Sequence, residues 1–134
     1  MTDERVLCRN DVWILQAMDA RTGRHSSLTE IISHADALNH AIPGFAELCR
    51  AVSRLCAFGL VVVENEMCEV TDSGRQTLAA CRGRDFLDQN ERIAQHLGAG
   101  AWELIAWASD PPEGQQFVTR ERFENALYEY RRRF

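Results

Sequence analysis

The feature that leaves this chain the fewest folds is a change of period at Gly59. Before it, Phe45, Leu48, Cys49, Val52, Leu55 and Cys56 recur at helical spacing and fall on one side at about 100° per residue. After it, Leu60-Val61-Val62-Val63 is an apolar, β-branched run that suits a strand. Gly59 itself suits the left-handed residue that ends many helices. Met67-Cys68-Glu69-Val70-Thr71 is a second short run, and Glu64, Asn65 and Glu66 lie between the two, so they close as a hairpin with a very short tip. Thr71-Asp72-Ser73-Gly74 then opens another helix carrying Leu78 and Cys81, and Gly83 closes it.

Upstream the signals are helical. Asn10 and Asp11 suit the cap of a first helix through Val12, Trp13, Ile14, Leu15 and Met18, ending before Arg21-Thr22-Gly23. Ser27-Leu28-Thr29-Glu30 fits a capping box, in which a hydroxyl and a carboxylate three residues on each accept an end-of-helix N–H. It predicts a second helix over about 28–40. Pro43 suits the first turn of the third helix because its missing N–H needs no partner there. On that helix Arg50 and Arg54 project almost opposite the apolar stripe, and Ser53 flanks it.

Downstream, residues 85–97 suit a helix with Phe86, Leu87, Ile93 and Leu97 available for burial. Ala101–Trp107 is apolar but too short for periodicity to separate helix from strand. Residues 109–116, with Pro111-Pro112 and Gly114, form a loop. Thr119 caps a last helix whose stripe of Phe123, Ala126, Leu127, Tyr130 and Phe134 requires a partner. The expected class is therefore α+β, mainly α with a small β-hairpin. Residues 1–83 form one domain, and 84–134 a helical C-terminal extension packed on it or on a second copy.

The 15 basic residues are all arginine and face 20 acidic ones, a net charge of -5 over 134 residues. Split after Gly83, the two parts carry -3 and -2, so neither holds nucleic acid by bulk charge. Arginine is nevertheless the residue for forked contacts to phosphate, guanine or carboxylate. No apolar run approaches bilayer length and the N-terminus lacks a leader pattern, which predicts a cytoplasmic protein with no membrane partner. Five cysteines without a C-x-x-C pair, and four histidines without the H-x-x-x-H spacing, point to no disulfide framework, no metal and no cofactor. No nucleophile motif or phosphate-cradling glycine loop is present, so no catalytic residue is assigned and an enzyme is not expected.

Three helices, a hairpin directly after the third and a T-x-x-G-x-x-x-L start to a fourth: this order resembles the winged helix-turn-helix proteins of small prokaryotic regulators. The resemblance covers about residues 8–83. It rests on Asp11-Val12-Trp13-Ile14-Leu15, Leu28-Thr29-Glu30-Ile31-Ile32, Leu48-x₆-Leu55-x₃-Gly59-Leu60-Val61 and Val70-Thr71-Asp72-Ser73-Gly74. It implies that the helix over 43–58 is a recognition helix for the major groove of double-stranded DNA. Arg50, Arg54 and Ser53 would then contact bases or phosphates. Apart from the resemblance, Arg24 lies with Arg21 and His25 in the loop after the first helix and would add a positive patch, and the extension outside residues 8–83 would serve to pair two copies.

The hairpin departs from that pattern. Its tip is Glu64-Asn65-Glu66 and its second strand carries Glu69. These acids fit a different role, a module that binds and neutralises a basic protein partner, as a toxin-immunity protein does. A third use, a small-effector sensor built on the aromatic extension, has less behind it. For the C-terminal Arg131-Arg132-Arg133, the favoured role is to complement the dipole of the last helix.

Overall fold

A computed structural model describes residues 6–19, 25–107 and 117–133. Six helices and one two-stranded antiparallel sheet follow in the order α1 (Arg9–Asp19), α2 (Leu28–Asn39), α3 (Phe45–Ala57), β1 (Val61–Glu64), β2 (Met67–Val70), α4 (Asp72–Ala80), α5 (Phe86–Leu97) and α6 (Arg120–Arg133). The chain is thus mainly α with a small hairpin. The fourth helix starts at the T-x-x-G signal and the fifth just after Asp85, as expected.

Helix α1 is the axis of the core. Every residue from Asn10 to Met18 is buried, so its polar positions need partners as much as its apolar ones need contacts. Gln16 donates to the Phe86 carbonyl and the Gln89 side chain, while Asn90 donates to Gln16 and to the Arg9 carbonyl. The Trp13 indole N–H reaches the Ala35 carbonyl on α2. Asn10 and Asp11 lie inside the first turn and are not its cap. Asp11 instead accepts the Cys8 N–H at 2.9 Å.

Helix α2 starts as expected: Ser27 Oγ accepts the Glu30 N–H and Glu30 accepts the Ser27 N–H. Helix α3 starts at Phe45 with Gly44 as cap, so Pro43 precedes the helix and does not occupy its first turn. It ends where Gly59 takes a φ of 71°, which lets the Leu60 N–H return to the Leu55 carbonyl.

In the hairpin Val61 faces Val70, Val62 faces Glu69, Val63 faces Cys68 and Glu64 faces Met67. Asn65 and Glu66 both take positive φ, 52° and 62°, the twist that a two-residue hairpin turn demands. Alternation sends Val61, Cys68 and Val70 into the core and leaves Val62, Glu64, Met67 and Glu69 on the outer face. Ser26 exchanges both backbone hydrogen bonds with Cys68, adding a one-residue third strand before α2.

The T-x-x-G start of α4 has a steric cause. Thr71 Oγ1 accepts the Gly74 N–H and donates to the Gly59 carbonyl at 2.7 Å. A Cβ on Gly74 would lie 2.4 Å from the Leu60 carbonyl oxygen, so only glycine lets the helix sit this close to the hairpin.

The extension packs on the rest of its own chain. α5 lies on α1, with Ile93 and Ala94 in the common core, and α6 lies on α2. The partner of the α6 stripe is therefore α2, and the Tyr130 hydroxyl donates to Asp36 there. Of that stripe, Phe134 lies outside the described residues, as does the loop over 109–116. Residues 101–107 are neither helix nor strand. They form an extended strap across the N-terminal ends of α1 and α3, because the pairing available to them is with a side chain, Asn10, and not with a strand. Among the described residues no helix is long and apolar enough to cross a membrane.

Candidate functional site

The site expected from the sequence is the polar side of α3. Two of its residues are placed otherwise than expected. Arg54 does not face solvent: it is 8% exposed, and its Nη1 lies 3.2 Å from Asp11 Oδ2, itself 1% exposed. The physical reason is the first turn of α1, which buries a carboxylate against this face and draws the guanidinium in to neutralise it. Burial opposes the charge on Arg54, but the Asp11 carboxylate outweighs it and holds the guanidinium pKa above its ordinary value. Cys56, expected in the apolar stripe, is exposed. The solvent face of α3 is turned toward Ser53, Cys56 and Ala57, and Ser53, which flanks the apolar stripe in the sequence, is exposed.

Arg50 keeps 26% of its side-chain surface, and its Nη2 lies 2.9 Å from Glu103 Oε2 on the strap. Around it the α3 entrance is closed. Asn10 donates to Glu47 at 2.6 Å and to the Glu103 carbonyl at 3.0 Å, and it accepts the Glu103 N–H at 2.8 Å. Trp107 stacks edge-on with Phe123 and comes within 3.3 Å of where a Gly44 Cβ would be. Phe123 meets Phe45, and Arg120 sits over the Phe45 ring at 4.7 Å. Farther along, the Cys49 thiol donates to the Val118 carbonyl at 3.2 Å. Of the surface that the sequence assigns to a groove of DNA, the extension thus covers the part around Arg50, α1 takes Arg54, and Ser53 stays exposed. Arg24 and Arg21 lie outside the described residues. His25, in the same expected patch, sits 3.0 Å from Glu69.

The acidic hairpin remains outward. Glu64 is exposed and forms no ion pair among the described residues. Glu66 keeps 73% of its side-chain surface while meeting Arg122 at 2.6 Å. Glu69 is shared between His25 and Arg75, the latter at 3.5 Å. Val62, 42% exposed, sits between them on the outer face. Beside the tip, Leu28, Thr29, Phe117, Arg122 and Ala126 line an open cleft of about 220 Å³.

The thiols are held protonated. Burial pushes Cys8 up to about 11, helped by the Asp11 charge, and Cys49 up to about 12; it raises Cys56, Cys68 and Cys81 as well. Among the described residues no three His, Cys, Asp or Glu side chains gather as metal ligands do. The residues that sequence reasoning missed are Asn10, Asp11 and Glu103. No local signal marks them, since each acts on an element 37 or more positions away. Comparison with protein families, with curated proteins and with solved structures gives no match.

Proposed function

We propose that this is a cytoplasmic winged helix-turn-helix protein that works as a non-catalytic protein-binding module, taking a basic partner on the outer face of its hairpin. The element order supports the fold reading: α1, a one-residue strand at Ser26, α2, α3, then the hairpin as wing. One observation carries the functional reading. Both α3 arginines are paired within the chain, Arg54 with Asp11 and Arg50 with Glu103, while on the hairpin Glu64 is exposed with no ion pair among the described residues and Glu66, paired with Arg122, keeps 73% of its side-chain surface beside exposed Val62. An acidic rim around an apolar centre steers a basic surface in and gives it something to bury.

Affinity capture from the source cell, with mass spectrometry, tests this. The wild type is expected to retain a basic protein that a Glu64→Arg, Glu66→Arg variant of unchanged melting temperature does not. Equal retention by both proteins overturns the reading.

DNA-binding regulation is the second reading, and exposed Ser53 with Arg50, about a quarter exposed, on α3 favours it. It requires anisotropy of a random duplex to rise with the protein at low salt and to fall steeply as salt increases. No rise at low salt refutes it.

A further inference from the structure

We infer that residues 101–107 are a releasable strap, so that the α3 entrance exists in a covered and an uncovered state. The inference is independent of what the hairpin binds. The strap reads Ala-Trp-Glu-Leu-Ile-Ala-Trp, yet six of these seven residues are exposed, and Leu104 projects wholly into solvent. An apolar segment that buries so little of itself gains little from being held, while fixing its backbone costs entropy at every residue. Its holds are few. Asn10 grips both backbone groups of Glu103, Arg50 grips its carboxylate, and Trp102 and Trp107 lie half-exposed against Trp13, Phe86 and Phe123.

The N-terminal end of the strap is fastened differently. Gly100 exchanges backbone hydrogen bonds with Leu7 and Arg9, and Ala99 closes α5 onto the Ala94 carbonyl. Beyond the strap's other end, Phe117 and Val118 are buried in the core. Both flanks are thus held by contacts that do not involve residues 101–107.

The surface beneath does not depend on the strap for its shape. Glu47 accepts the Gly44 N–H and the Asn10 amide from within the α1–α3 pair, so these bonds survive release. What release changes is valence. Asn10 loses two partners and Arg50 loses its carboxylate, leaving a preformed polar patch with open donors. Glu103 thus acts as an internal competitor for any external acid that Arg50 could take, which makes the strap a device that meters access to α3.

Native-state hydrogen exchange with residue resolution tests this on the intact chain. The Glu103 amide, which is hydrogen-bonded to Asn10, is expected to exchange at a rate independent of low denaturant, while the buried α1 and α3 amides exchange only through denaturant-sensitive unfolding. Glu103→Ala removes the Arg50 pair and should speed exchange at position 103 by about 1.5- to 5-fold without moving the α1 and α3 amides. In the same variant Arg50 should react faster with phenylglyoxal, with buried Arg54 unmodified as the internal control. Exchange at position 103 in step with α1 and α3 overturns the inference. So does an Arg50 reactivity that does not change between the two proteins.

Discussion

Replacing Arg54 by methionine removes the one ion-pair partner that Asp11 has among the described residues. Asp11 is 1% exposed and would keep the Cys8 N–H and the neutral Cys8 thiol beside it, with no counter-ion among the described residues. Breaking a buried pair by deleting one partner costs about 3–5 kcal/mol, because the remaining charge has neither water nor a counter-ion. Against the roughly 5–15 kcal/mol that stabilises an ordinary domain, that is at least about a fifth of the total. With a urea slope of about 2 kcal/mol/M, the unfolding midpoint should fall by about 2 M. The companion variant Arg54→Met with Asp11→Asn tests the cause. It keeps an acceptor for the Cys8 N–H and abolishes the orphaned charge, so it should recover to within about 1–2 kcal/mol of wild type. Urea denaturation followed by circular dichroism measures all three proteins. A single variant within about 1 kcal/mol of wild type would refute the argument, as would a double variant no more stable than the single. Either result would return Arg54 to the surface role that its position in the sequence suggested.

Other outcomes follow from the same contacts. Gly74→Ala places a Cβ 2.4 Å from the Leu60 carbonyl oxygen and 2.6 Å from a Val70 methyl, and should cost about 2–3 kcal/mol, or roughly 10 °C in a thermal melt. A melt unchanged within 2 °C would mean that the helix and hairpin are farther apart than described. Of the five cysteines only Cys56 is exposed, so an Ellman titration of the native protein should show one fast thiol and four that react after unfolding; two fast thiols would contradict the burial of one of the other four. Glu91 sits below the usual carboxylate range because Arg9 donates to it. Its contribution to stability is thus complete above about pH 4.5 and is lost as pH falls through its lower folded value. Arg9→Met should bring the Glu91 carboxyl back to the ordinary range in an NMR titration; an unmoved titration would remove Arg9 as the cause.

Much of the fold was legible because its signals are local. The turn at Gly59, the capping box at Ser27 and the Thr71 cap of the T-x-x-G each join groups close in sequence, and each appears in the structure with its own hydrogen bond, although the need for glycine at Gly74 comes from the more distant Leu60 carbonyl. Where the prediction slipped, a distant contact overrode the local signal. Asn10 and Asp11 suit a cap by type, but Glu47, Glu103 and Arg54 give their side chains other partners, so the helix starts one turn earlier around them. Ala101–Trp107 could not be assigned because its conformation is set by Asn10, more than ninety positions away.

The candidate site shows the same division. The sequence by itself determined that α3 is amphipathic, that a short acidic hairpin follows it, and that arginine supplies every fixed positive charge, since periodicity, turn chemistry and composition are properties of the chain alone. Tertiary structure decided which way the charges face. A helical wheel separates polar from apolar positions but does not know what is packed against the polar side. Here Asp11 from α1 and Glu103 from the extension approach that side and neutralise both arginines, because a guanidinium enclosed by neighbouring elements must find a carboxylate or lose the water that solvated it.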